Sequence, residues 1–394
     1  MASQALNILQ LNDYCLIHIL TYLDVEDQLS LAHSCVGFRQ LLLNCTQLLY
    51  PIYELNIDFY SDVNELKLYC VICKELKSFR LNIEACSHRK LKYLNKSLKT
   101  MHCLERFEII AGTPRADFLN ETFEALTTLS NLKSFCVDSL LFSSDVRILA
   151  KLTQIRELTV ISYTSALDIG RICNSLSQLR FLKVDKFTDS PFNELVLNCK
   201  NLVEVEFTIG SLGCCAVLAE LASLQKVTII YKNVNSFNHN KDLIFNLLAA
   251  FADKAQTTQL RSIIFHNRPL TFREIFALVK LKFLHELLCH FEDNRCIEML
   301  TQLTELKCLY IIPCARSCGA YEILAVLRAC KKLQRLHIRA NLKKDFVLQA
   351  MQQVGKQTLE LYTDGLDLLS QQDRLQIESS GSITLVKSSA WFRT

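Results

Sequence analysis

One short pattern, apolar-x-x-apolar-x-apolar, returns along most of the chain and restricts its fold more than any other feature. Copies begin at Leu76 (LKSFRL), Leu104 (LERFEI), Leu132 (LKSFCV), Ile155 (IRELTV), Leu179 (LRFLKV), Leu202 (LVEVEF), Leu224 (LQKVTI), Leu260 (LRSIIF), Leu284 (LHELLC), Leu306 (LKCLYI) and Leu333 (LQRLHI). Their starts lie 22 to 28 residues apart, except for 36 between Leu224 and Leu260. Weaker copies use Leu359/Leu361 and Ile383/Leu385. In each copy the last two apolar positions are two apart, which places both on one face of a short strand. Between copies run segments with helical apolar spacing, such as residues 242–251 (DLIFNLLAAF) and 320–330 (AYEILAVLRAC). One strand and one helix per copy predict a parallel sheet covered on one side by helices. So small a unit cannot bury its own apolar face, so neighbours must stack and both ends need caps.

This period and pattern resemble the leucine-rich repeat. The resemblance implies an α/β solenoid of horseshoe form, with a parallel sheet on the concave face and helices on the convex face. Three copies carry a cysteine three residues before the first apolar position: Cys73 before Leu76, Cys199 before Leu202 and Cys330 before Leu333. These resemble the cysteine-containing type, in which a small thiol fits the tight bend from helix to strand. Cys314 matches the later asparagine-or-cysteine position.

The opening segment differs. Residues 11–42 read LNDYCLIHILTYLDVEDQLSLAHSCVGFRQLL. Leu11, Leu16, Ile19, Leu20, Leu23, Asp27, Leu29, Leu31, Ala32, Cys35 and Phe38 fall at the positions that make this segment similar to an F-box, a small three-helix module. Asn12 stands where proline is usual, and Phe38 where tryptophan is commonest. Asn12 and Asp24 are both suited to cap a following helix. Three short helices predict a module too small to enclose a core, leaving apolar surface for another chain to cover. The resemblance implies that the covering partner is a Skp-type adaptor, and through it a cullin-RING ubiquitin ligase, with docking by helix-in-groove packing. Leu11, Asn12, Leu16, Ile19, Leu20, Leu29, Leu31 and Phe38 are the expected adaptor-binding residues. The expected domains are residues 1–45 for the F-box, 46–363 for the solenoid and 364–394 for a C-terminal capping segment and tail.

Composition narrows the function further. A formal charge of +4 spread over 394 residues argues against a dedicated nucleic-acid binder. No apolar run reaches the ~18 residues of a membrane span, and the first ten residues lack the layout of a secretory signal. The expected location is cytoplasmic or nuclear. The 18 cysteines are then read as reduced thiols packed in the core. Cys70, Cys73, Cys86 and His88 have a tolerable zinc spacing, but Cys73 already belongs to the repeat, and four ligands from different sides of a helix and a strand seldom converge. Neither a metal nor a cofactor is predicted. A phosphate-binding glycine loop, HExxH and GxSxG are all absent from the sequence, so a non-catalytic protein is expected.

Strand alternation assigns the third, fifth and seventh positions of each copy to the sheet face away from the helices. The expected target-binding row there runs from Glu204 and Glu206, through Ile264, Leu288, Tyr310 and Ile312, to Arg335, His337 and Arg339. An apolar stretch between opposite charges suits protein recognition. The alternative is that the chain's own tail, with Trp391 and Phe392, covers the same stretch. Residues 233–241 (NVNSFNHNK) are expected to loop out at the sheet edge. Together these readings point to the substrate-recognition subunit of an SCF-type ligase. A leucine-rich-repeat scaffold or inhibitor without ligase linkage is the second reading.

Overall fold

The computed structural model describes residues 8–57, 63–83, 88–112, 116–139, 141, 147–161, 172–185, 191–209, 215–231, 242–312, 319–339, 344–354, 358–363, 370–379 and 381–387. Four helices open the chain: α1 (Asp13–Tyr22), α2 (Val25–Ser34), α3 (Val36–Asn44) and the single turn α4 (Thr46–Leu49). Each of the first three starts at a side-chain cap. The Asn12 carboxamide accepts from the Cys15 N–H at 2.9 Å, Asp24 accepts from the Asp27 N–H at 2.8 Å, and the Cys35 sulfur accepts from the Phe38 N–H at 3.4 Å. Such caps satisfy amide groups that the helix itself cannot.

Repeats follow. The strands are β1 (Tyr53–Ile57), β2 (Ser78–Ile83), β3 (Arg106–Ala111), β4 (Ser134–Ser139), β5 (Glu157–Ile161), β6 (Phe181–Val184), β7 (Glu204–Thr208), β8 (Lys226–Ile230), β9 (Ser262–Leu270), β10 (Glu286–Phe291), β11 (Cys308–Ile312), β12 (Arg335–Ile338), β13 (Leu359–Thr363) and β14 (Ile383–Lys387). Strand order in the sheet is chain order. The helices between them include α5 (Val63–Ile72), α6 (His88–Leu98) and α7 (Ala116–Leu126), and later Leu243–Asp253, Phe272–Leu278 and Ala320–Ala329. This is an α/β leucine-rich-repeat solenoid, with one strand per copy and helices along one side.

The chain divides into two compact units, Met1–Leu179 with Lys183–Asp185, and Arg180–Leu182 with Lys186–Thr394. In the first unit, β1 to β5 pair in parallel with neighbouring copies in step, as in Tyr53 beside Phe79, Phe79 beside Phe107 and Phe107 beside Phe135. In the second, β7 to β14 pair the same way, with one register shift where β9 meets β10. Every first-position residue from Leu76 to Leu333 is 4% exposed or less, so the pattern read from the sequence does mark the core. Burying one such side chain contributes about 1.5–3 kcal/mol.

The structure adds a copy that the leucines did not reveal. Tyr50, Tyr53 and Leu55 fill the three apolar positions, and β1 is its strand. At the far end the weak copies at Leu359 and Ile383 form true strands, β13 and β14, with the helix Gln371–Ser379 between them. The expected loop at residues 233–241 and the tail with Trp391 and Phe392 lie outside the described residues, as does Cys314. Among the described residues no helix is long and apolar enough to cross a membrane.

Candidate functional site

The opening helices enclose a small core after all. Leu16, Leu20, Phe38, Leu41 and Cys45 form it, with Ile17, Ile19, Leu23, Leu31, Cys35 and Leu49 packed against it. Three helices suffice because they have support: α2 and α3 also lie against α5 of the first repeat. Gln28 fastens that contact. Its buried amide donates to the carbonyls of Leu20 at 3.0 Å and Leu23 at 3.1 Å and its oxygen accepts from the Tyr50 hydroxyl. Burial pushes the Tyr50 phenol up to about 12.

This packing corrects half of the expected adaptor-binding set. Leu16, Leu20, Leu29 and Phe38 are buried inside the chain, Leu20 to 2% exposure, and hold the helices together rather than facing outward. Ile19 and Leu31 are half-buried against the same core, whereas Leu11 and Asn12 are exposed. The apolar groups most open to solvent lie outside the expected set: Tyr14 at 87%, Tyr22 at 77%, Val36 at 84% and Leu48 at 73%. Tyr14, His18 and Tyr22 recur at i, i+4 and i+8 and so share one side of α1, with the His18 and Tyr22 rings edge to face at 4.9 Å. The sequence holds this signal as a second helical stripe on α1, offset from the leucines.

The sheet face away from the helices carries different chemistry in each unit. In the first, Glu54, Arg80 and Glu108 stand side by side on β1, β2 and β3. Arg80 reaches Glu108 at 2.8 Å and Glu54 at 3.5 Å, and the Asn82 amide donates to Glu54 and Asn56. Fifth-position spacing marks these residues, which the sequence reading left unassigned.

In the second unit the fifth positions of β7 to β13 run Glu206, Thr228, Ile264, Leu288, Tyr310, His337 and Tyr362. The structure therefore brings together Glu206, Ile264, Leu288, Tyr310 and His337 as one row. Glu204 and Arg335 lie on the adjacent third-position row. Glu204 is held by Lys226 at 3.9 Å. Leu288, Tyr310 and His337 are buried rather than open, a correction to their expected role as free contact residues. Within the row Tyr310 meets His337 edge to face at 4.1 Å, and His337 lies 5.8 Å from Tyr362. Tyr362 extends the row beyond the residues expected. Ile312 is half-buried, and Arg335 and Arg339 are exposed with no ion pair among the described residues. Burial, with the Arg339 and His266 charges, holds His290 below the usual imidazole range.

The repeat cysteines are core. Cys73, Cys199 and Cys330 are buried, and the Cys330 thiol donates to the carbonyl of Leu303 at 3.3 Å in the turn before β12. Burial pushes that thiol up to about 11 and Cys136 up to about 12. Among the described residues no group of three or more His, Cys, Asp or Glu is placed to hold a metal. Cys86 lies outside the described residues.

Fold and helical head together define a leucine-rich-repeat solenoid entered through an F-box region. Residues 8–48 match the F-box domain, which takes in α1 to α3 and most of α4. No curated protein matches the chain. Among solved structures, an internalin from Listeria monocytogenes is similar at 16% identity and a TM-score of 0.43, with 86% of this chain and 87% of that chain covered.

Proposed function

We propose that the chain is a substrate-recognition subunit of an SCF-type ubiquitin ligase. The opening helices hold a Skp-type adaptor, the far sheet face holds a target protein, and ubiquitin is delivered by proximity without chemistry in this chain. One observation carries this reading: the F-box region has filled its own core, yet still presents Tyr14, Tyr22, Val36 and Leu48 to solvent. Isolated apolar surface groups are ordinary, but a set this exposed on one small helical module marks a partner's footprint. The adaptor contact accordingly uses Leu11, Asn12, Tyr14, Tyr22, Val36 and the accessible edges of Ile19 and Leu31. On the sheet face, exposed Arg335 and Arg339 beside half-buried Ile264, Ile312 and Tyr362 offer the target positive charge next to apolar surface. The buried cysteines before Leu76, Leu202 and Leu333 support the cysteine-containing repeat type.

Co-expression with the adaptor tests the proposal. Wild type is expected to copurify with adaptor and cullin, and Val36→Asp or Tyr22→Asp to lose both while unfolding at the wild-type midpoint. Wild type that binds no adaptor leaves a leucine-rich-repeat scaffold or inhibitor without ligase linkage as the remaining reading.

A further inference from the structure

On the helical side of the first unit, well away from the sheet face, lies an open groove of about 900 Å3. One wall belongs to α6 and the turn after it. Lys92, Lys96 and Lys99 recur there at i, i+4 and i+7, a line of ~10 Å at a rise of ~1.5 Å per residue. The opposite wall carries Arg147 and Lys151 together with Glu121 and Glu124 of α7. Lys151 is committed to Glu124 at 2.7 Å, whereas Lys92, Lys96, Lys99 and Arg147 make no ion pair among the described residues. The lining keeps a net charge of +3.

Asn95 lies in the groove lining between these walls, 5% exposed. Its Oδ1 accepts from the Thr122 hydroxyl at 2.9 Å, but its Nδ2 has no acceptor among the described residues. A buried donor left unmade costs about 1–3 kcal/mol, and this one is closed to solvent, so a ligand oxygen that displaces the side chains around it would recover what folding leaves unsatisfied. Side-chain charge and an orphaned donor are separate observations: the first calls for an anion and the second for an oxygen acceptor, and a carboxylate is both.

We propose that this groove binds an acidic segment of a protein partner. Successive Asp or Glu carboxylates lie along the lysine line, and one accepts from the Asn95 amide. A single phosphate would be met by convergent donors, such as an arginine fork or clustered backbone N–H groups. Here the cations are mostly lysines, compact point charges strung in a line, which fits carboxylates spaced along an extended chain. A nucleic-acid backbone needs a broader basic face than a groove of net charge +3, and a flat bilayer would not reach the recessed Asn95. The inference goes beyond the adaptor reading and does not depend on it.

The test uses the full chain and a labelled Glu-rich peptide, with the same peptide carrying Gln for Glu, a phosphoserine peptide and phosphatidylserine vesicles as comparisons. The Glu peptide is expected to bind, with an affinity that falls as salt rises, and the Gln peptide is not. Lys92→Glu with Lys96→Glu, both on the surface, should weaken binding at least about tenfold, or ~1.4 kcal/mol, at an unchanged thermal midpoint. Asn95→Leu should weaken it with little change in salt dependence, because it removes a neutral donor. Equal binding of the Glu and Gln peptides overturns the proposal. So does retention of wild-type affinity in the lysine variant, or a preference for the phosphoserine peptide or the vesicles over the Glu peptide.

Discussion

The Tyr50 hydroxyl donates to the Gln28 side-chain oxygen, joining the first position of the first repeat to the second helix of the F-box region. Tyr50 then meets Tyr53 edge to face at 5.3 Å, and Tyr53 lies 6.3 Å from both Tyr69 and Phe79. Phe79, Phe107 and Phe135 carry the contact onward at 5.6 Å and 6.0 Å. A column of rings therefore runs from the helical head into the fourth strand, and Gln28 ties the head to its upper end. Aromatic pairs at these separations add about 0.5–1.5 kcal/mol each beyond the area they bury.

That column makes the protein sensitive to alkali. Burial raises Tyr50 from 10.0 to about 12, against the Gln28 hydrogen bond that lowers it, and burial also raises Tyr53 and Tyr69. An acid whose folded pKa is raised keeps its full contribution below its unfolded value and loses it as pH climbs toward the folded value. Urea midpoints are expected to hold up to about pH 10 and to fall between about pH 10 and 12. Tyr50→Phe should soften that fall while lowering neutral stability by about 1–3 kcal/mol, because the Gln28 oxygen then lacks a donor. A curve as steep in the variant as in wild type would separate Tyr50 from the effect.

The second unit contains a buried ion pair, Arg268 to Glu274 at 2.8 Å. Arg268 also donates to the Tyr231 hydroxyl at 3.0 Å, while Glu274 caps the helix Phe272–Leu278 through Thr271. Glu274→Gln preserves shape but strands a buried guanidinium, so a loss of about 3–5 kcal/mol is expected. Adding Arg268→Met should restore part of that loss. Chemical denaturation of the single and double variants measures both, and a near-neutral single variant would mean that water already reaches the pair.

Thiol reactivity should follow burial. Cys15 is exposed, whereas Cys73, Cys199 and Cys330 are buried, and burial raises the Cys73 and Cys330 thiols. Iodoacetamide at neutral pH, followed by peptide mass mapping, is expected to modify Cys15 well ahead of those three in the native protein. Comparable labelling after brief exposure would show that the repeats holding them open readily. Preferential labelling of Cys73, Cys199 or Cys330 would instead point to an activated thiol and revive an enzymatic reading.

Leucine spacing made the solenoid legible because the period repeats and a single slip would turn every core residue outward. Asn12 and Asp24 were legible as caps because capping chemistry is local. The first copy escaped notice because its core positions hold tyrosines, which read equally well as surface. Leu16, Leu20, Leu29 and Phe38 turn inward for a tertiary reason: whether Leu20 faces the core depends on α3, and on α5 packing against α2 and α3, neither of which helical spacing within α1 records. On the second unit, periodicity gave the row from Glu206 to His337 but not the burial of Leu288, Tyr310 and His337, since alternation along a strand fixes which face a side chain takes and not what packs over it.

Gln28 and the ring column leave the head no slack. A module joined by a loose linker would search a volume, and whatever it carried would arrive at many angles. Here the entry helices are braced against the repeats like a bracket against a beam, so any load borne on them points where the first four strands point. Aim in this molecule is a property of its core.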